Sequence, residues 1–163
     1  MNNLTIVMYH YVRDLKNSRY SNIKGLDVNL FKEQIDYLRK YYHIITMEEV
    51  IYSIDNQVKI PEKSILLTFD DAYADHFTYV FPILDKYNLQ GSFYVPSKAI
   101  IEHTVLDVNK IHFILAAVRN ELNLISDLKG LIEIHQKEYS LRDFNFYYKK
   151  LAVASRMDTK DVI

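Results

Sequence analysis

Two adjacent carboxylates, Asp70 and Asp71, close the run Ile65-Leu66-Leu67-Thr68-Phe69 and open the turn Ala72-Tyr73. Neighbours on a regular strand point to opposite faces, so the pair can serve one site only where the strand ends and turns. Like charges this close raise the cost of ionising both, and a divalent cation removes that cost. One carboxylate can then ligate the metal while the other stays off it and takes a proton from an attacking water. The competing reading of the isolated pair is a turn cap, in which the Asp oxygens bond backbone N–H groups of the next segment.

A mononuclear site takes about three protein ligands, so histidines near the aspartates are the next candidates. His10 follows the first strand, His76 lies within one turn of the pair, and His103 follows a later strand at the same end. Each has an ordinary reading as well: a structural histidine at 10, a surface residue at 76, and a core or solvent-facing residue at 103, as for His112.

The elements that must position these groups read as βα units. Leu4 to Tyr9 is a short apolar run predicted as a buried strand. Asn29 is placed to cap a helix whose apolar positions Phe31, Ile35, Leu38 and Tyr42 follow the 3.6-residue period. Ile44-Ile45 is a short strand, Met47 to Ser53 a helix, and Ser64 to Phe69 the clearest strand, uninterrupted as expected when both faces are covered. Pro82 suits the first turn of a helix reaching about Tyr87. Ser92 to Val95 is the next strand, followed by a loop from Ser97 to His103. Strand alternating with helix implies parallel pairing, and chemistry in such folds collects at the carboxyl ends of the strands.

From Asp107 onward only helices are predicted, at about 108–119, 127–137 and 141–154. Val108, Ile111, Leu115 and Val118 share one face of the first, and Ser140 with Asp143 resembles a capping box for the third. Met157 to Ile163 reads as a further helix start capped by Asp158. The organisation expected is residues 1–102 as the strand-bearing part and 103–163 as a helical insertion or cap, truncated at its end.

Composition excludes several classes. Twenty Lys and Arg stand against 21 acids in 163 residues, so bulk charge recruits neither nucleic acid nor an anionic membrane. The absence of cysteine rules out disulfides, thiolate catalysis and Cys-type zinc sites. No apolar run approaches the roughly 18 residues that span a bilayer, and the amino terminus lacks a signal-peptide pattern. The expectation from these features is a cytoplasmic protein. Tyrosine is frequent, at 14; its rings suit either amphipathic packing or stacking on sugars.

Thr68-Phe69-Asp70-Asp71-Ala72-Tyr73 resembles the T-F-D-D-G motif of the polysaccharide deacetylases, carbohydrate esterase family four. Val7-Met8-Tyr9-His10 is similar to that family's opening strand, and Gly91-Ser92-Phe93-Tyr94-Val95-Pro96 to its next strand after the motif. The resemblance covers roughly residues 4 to 100. It implies an α/β fold, a distorted, incomplete (β/α) barrel of parallel strands, acting on acetylated carbohydrate in surface glycan biosynthesis. It further implies Asp70 as general base and Asp71 as ligand to a divalent metal, usually zinc. The chain departs from the family at three places, one being that the family's later motifs, which supply the oxyanion-stabilising group, an acid histidine and the acetyl pocket, find no counterpart in it. Ala72 stands where glycine is usual, and no two of its histidines (10, 43, 76, 103, 112 and 135) are four residues apart, so the family's paired metal-binding histidines are expected beyond residue 163.

A haloacid-dehalogenase-type phosphatase separates its two aspartates by one residue, which Asp70-Asp71-Ala72 does not. A phosphoacceptor receiver domain needs acids on separate strand ends and a lysine after a later strand, an ordering that Lys98 does not supply. The rival that remains is a non-catalytic carbohydrate-binding or scaffold relative of the same fold. An incomplete barrel exposes strand edges, which predicts a homo-oligomer.

Overall fold

The computed structural model describes residues 3–153. In chain order the strands and helices are β1 (Leu4–Tyr9), β2 (Val12–Arg13), β3 (Leu26–Asp27), α1 (Val28–Tyr41), β4 (His43–Ile45), α2 (Met47–Asp55), β5 (Ser64–Phe69), α3 (Phe81–Lys86), β6 (Ser92–Phe93), α4 (Ser97–Ile101), α5 (Asp107–Ala117), α6 (Glu121–His135) and α7 (Phe144–Tyr147). Wide π-helical turns precede α3 at His76–Val80 and follow α7 at Tyr148–Val153. One compact unit ends at Ala117 and a second begins at Val118. The strands and α5 therefore share the first unit, whereas the sequence reading grouped α5 with the helical remainder after residue 102.

All six residues of β5 lack charge and all six are buried, as a strand covered on both faces requires. Its neighbour β1 runs parallel to it along the whole length, from Leu4 opposite Ser64 to Tyr9 opposite Phe69. The other edge of β5 is shared, with β4 pairing at Ser64–Leu66 and β6 at Thr68–Phe69, both parallel. The result is a mixed α/β layer with parallel strands.

β1 departs from the expectation of a buried strand. Val7 and Tyr9 face α1, where they line a hollow with Leu30, Gln34, Tyr37 and Leu38. The alternate residues Ile6 and Met8 are 60% and 59% exposed, because the period of two turns them away from the one helix that covers this strand.

α1 forms from its period and its cap. The cap is Asp27 rather than Asn29: the Asp27 carboxylate accepts from the Asn29 backbone N–H at 2.9 Å. Phe31 and Ile35 are fully buried against Tyr9, Val12, Ile65, Leu67 and Phe69, with Val80, Ile83 and Leu84 completing the cluster. Tyr9 stands edge-on to Phe31 and stacks on Phe69, both at 5.1 Å between ring centres. Each such side chain contributes about 1.5–3 kcal/mol on burial. Gly91 is needed at the foot of β6, because a Cβ there would lie 2.5 Å from the Phe69 ring.

A second cluster joins Tyr11, Ile23 and Ala116, with Leu15, Tyr20, Tyr73 and Phe113 packed around them. It sets the orientation of α5. The apolar stripe Val108, Ile111 and Leu115 is exposed, while Asn109 is 7% exposed and faces inward. Hydrogen bonds from Asn109 to two tyrosines hold it there and offset the cost of burying an amide. The stretch Ser97 to His103, read as a loop, holds the short α4.

In the second unit α6 is capped by Asn120 and α7 by Asp143, whose carboxylate accepts from Phe146 N–H at 2.8 Å. Ser140, expected to cap with Asp143, instead has a left-handed backbone at φ 50°. The helix start predicted at Met157 to Ile163 lies outside the described residues. No helix among the described residues is long and apolar enough to cross a membrane.

Candidate active site

Parallel register builds the site. Because Tyr9 lies opposite Phe69 in β1 and β5, the residues that follow, His10 and Asp70, emerge side by side at the carboxyl ends of the two strands. The Asp70 N–H extends the ladder by one bond, donating to the Tyr9 carbonyl at 2.9 Å. His10 Nε2 and Asp70 Oδ2 are 3.9 Å apart, with the His10 side chain 46% and the Asp70 side chain 31% exposed. Asp70 is thus open to solvent on one side and beside an imidazole on the other. β6 ends at the same level, with Tyr94 N–H donating to the Phe69 carbonyl at 2.8 Å.

The chain then turns sharply. Asp71 has φ 72° and Ala72 φ 47°, two consecutive left-handed residues, neither a glycine. The turn swings the Asp71 side chain away from the line of β5, and Asp71 Oδ2 accepts from the Tyr73 hydroxyl at 2.5 Å. Burial first, then the Asp71 carboxylate and Tyr11, hold the Tyr73 hydroxyl far above the ordinary tyrosine range. It therefore remains protonated and acts as a donor. Tyr73 stacks on Tyr11 with ring centres 4.2 Å apart.

His76 is buried at 3% exposure, which corrects the surface role read from sequence. Its Nε2 lies 2.7 Å from the His10 carbonyl, and an imidazole nitrogen facing a carbonyl must donate. The ring packs between Phe69, Tyr73 and Phe93. Its Nδ1 is buried with no hydrogen-bond partner among the described residues. His76 thus fixes the backbone that carries His10. His103 is exposed, at the end of α4 with a left-handed backbone of φ 48°. The structure brings Asp70 and His10 together, sets Asp71 beside them in sequence but tied to Tyr73, and gives His103 no contact with either carboxylate.

Arg13 fastens the far side of the turn. Its Nε and Nη2 both contact Asp75 Oδ2, at 2.7 and 2.5 Å, with both side chains largely buried. The guanidinium also lies 5.5 Å from the centre of the Tyr11 ring.

Sequence reasoning missed Tyr11, Arg13, Tyr73, Asn109 and His112 as supports of the aspartate turn. Asn109 Nδ2 donates to the Tyr73 hydroxyl at 2.8 Å and to the Tyr11 hydroxyl at 3.2 Å. The Tyr11 hydroxyl lies 3.2 Å from His112 Nδ1. The one available signal was Asn109 itself, a polar residue within an apolar helix.

The model of the polysaccharide deacetylase family matches residues 57–161, well over half of the chain, and the chain belongs to that family. Among its relatives is YxkH of Bacillus subtilis (strain 168), named for the same family, 28% identical over 102 residues that make up 60% of this chain and 33% of YxkH. The poly-beta-1,6-N-acetyl-D-glucosamine N-deacetylase of Escherichia coli (strain K12) is 28% identical over 88 residues, 53% of this chain and 13% of that protein. The chain therefore spans a third or less of the length of these relatives. Streptococcus pyogenes deacetylase PplD, solved in complex with acetate, superposes with a TM-score of 0.53 over 86% of this chain and 70% of its own, at 18% identity. That likeness concerns the fold alone.

The family is generally metal-dependent, and the donors among the described residues do not make up a complete metal centre. Asp71 offers one carboxylate, already accepting from Tyr73, and His76 offers Nδ1 alone, its Nε2 donating to a backbone carbonyl. No group of three His, Asp or Glu side chains able to hold a cation occurs among the described residues.

Proposed function

We propose that the chain carries the general base of a polysaccharide deacetylase that removes N-acetyl groups from an amino-sugar glycan of the cell surface. The observation that carries this reading is Asp70. It is a part-exposed carboxylate at the carboxyl end of a parallel strand, next in sequence to a second carboxylate that accepts from Tyr73, and beside His10. Its motif lies within the family match, and named relatives act on acetylated glycans.

The reaction is hydrolysis of an amide. Water attacks the acetyl carbonyl carbon while an Asp70 oxygen draws off its proton, the C–N bond breaks, and the nitrogen leaves with a proton as a free amine, giving acetate. His10, 3.9 Å from Asp70, lines the same rim and helps shape the site. A divalent metal, zinc by resemblance, is proposed as cofactor with Asp71 as one ligand and donors outside the described residues as the others. The parallel strands are proposed to form the front of a distorted (β/α) barrel.

The test is acetate release from an N-acetylglucosamine oligomer by the purified protein in the presence of zinc, read by enzymatic assay of acetate and by mass loss from the sugar. Asp70→Asn is expected to lower the rate by about 10²–10⁴-fold, the usual worth of a general base, without weakening oligomer binding. Binding without acetate release, the same in wild type and Asp70→Asn, would instead establish the non-catalytic carbohydrate-binding alternative.

A further inference from the structure

Asn109 is a buried polar residue on α5 that neither the family motif nor the proposed chemistry uses. Its amide nitrogen has two protons, and they go to two phenol oxygens, Tyr73 at 2.8 Å and Tyr11 at 3.2 Å. Each phenol has one proton to pass on. The Tyr73 hydroxyl donates to Asp71 Oδ2 at 2.5 Å, and the Tyr11 hydroxyl lies 3.2 Å from His112 Nδ1. On the Tyr73 branch the donors therefore run one way, outward from Asn109 to Asp71. The direction of that branch follows from the Tyr73 hydroxyl donating to Asp71 Oδ2 and from the amide NH₂, which cannot accept. The two tyrosine rings, stacked 4.2 Å apart, keep both oxygens within reach of the one amide.

We propose that Asn109 is a positioning residue of the deacetylase site, which acts through Tyr73 to commit Asp71 Oδ2 to the phenol and leave Oδ1 as the oxygen for the reaction centre. The proposal rests on the reading of Asp71 as a working carboxylate. It extends the site to α5, a helix beyond the strands that carry the motif. A chain of oriented hydrogen bonds is the means by which outer residues fix a carboxylate's geometry, and loss of one such partner usually costs 10- to 100-fold in function.

Asn109→Asp tests this, because it keeps the shape while replacing two donors with an acceptor. The Tyr73 proton then turns to the introduced carboxylate and leaves Asp71. With aspartate carboxyl carbons labelled with ¹³C, the Asp71 resonance is expected to move in Asn109→Asp to the position it takes in Tyr73→Phe, while those of Asp70 and Asp75 stay in place. Acetate release should fall roughly 10- to 100-fold with KM unchanged. An Asp71 resonance that moves in Tyr73→Phe but not in Asn109→Asp would overturn the role of Asn109. Should Asn109→Asp fail to fold, Tyr73→Phe, which keeps the ring and its stack, must shift the side-chain amide resonance of Asn109; an unmoved amide would also overturn it. The resonances are read on the resting protein without sugar or metal. Absence of acetate release in the wild type would therefore count against the deacetylase reading and leave the Asn109 result standing on its own.

Discussion

At the scale of single residues, the backbone of the aspartate turn carries a cost. Ala72 sits at φ 47° and Asp71 at φ 72°, and a left-handed L-residue costs roughly 1–2 kcal/mol. Asp tolerates the region better than most residues, whereas Ala has no side-chain bond to offset it. The turn persists because Tyr73, Asp75 and His76 are each tied down just after it, by Asn109, Arg13 and the His10 carbonyl. Ala72→Gly removes the steric penalty and adds about 0.5–1 kcal/mol of chain entropy to be lost on folding. The net expectation is a gain of up to about 1 kcal/mol, read as a higher urea midpoint with unchanged slope. A lower midpoint would mean that the turn in solution is not left-handed. The motif made Asp70 and Asp71 legible in the sequence, and the glycine usual at position 72 raised the question of backbone hand. Only its polarity within an apolar helix marked Asn109, whose partners lie 36 and 98 residues away.

At the scale of elements, periodicity and caps explain what could be read. β5 came out with its observed ends because an uncharged run flanked by Lys63 and Asp70 has only one way to be buried. α1 was legible from its apolar spacing, although the cap fell two residues early, at Asp27. α5 misled because its most apolar stripe is the exposed one; hydrogen bonding at Asn109 and packing of Phe113 and Ala116 outweigh the stripe within this unit. The start of α2 shows how much a cap contributes. Thr46 Oγ1 accepts from Glu49 N–H at 3.1 Å while Glu49 Oε2 accepts from Thr46 N–H at 2.7 Å, a reciprocal box that the sequence Thr46-Met47-Glu48-Glu49 contains but that helical periodicity alone does not reveal. Thr46→Ala is expected to cost about 1 kcal/mol, seen as a lower urea midpoint, whereas Thr46→Ser should cost little. Equal losses in both would show that the methyl group, and not the hydroxyl, sets the stability of this helix start.

At the scale of the whole molecule, the first unit is held by an aromatic core in which polar tips must also be satisfied. Tyr9 is 7% exposed, wedged against Phe31 and Phe69, and its hydroxyl donates to Gln34 Oε1 at 3.2 Å. Burial pushes the Tyr9 hydroxyl up from 10.0 to about 12, and burial acts in the same direction on Tyr73. A folded-state value above the unfolded one means that the unfolded chain releases the proton first as pH rises. The contribution is fully present below pH 10 and is lost progressively between pH 10 and about 12, where the unfolded state is favoured by its earlier ionisation. Urea midpoints measured from pH 8 to 12 should therefore be flat at first and fall steeply above 10. Tyr9→Phe gives up one hydrogen bond, about 1 kcal/mol at neutral pH, yet its decline above pH 10 should be shallower, since only Tyr73 and weaker contributors remain. Parallel curves for the two proteins would show that the ring at position 9 is solvated in the folded state and that the core of Phe31, Ile35 and Phe69 does not close over it.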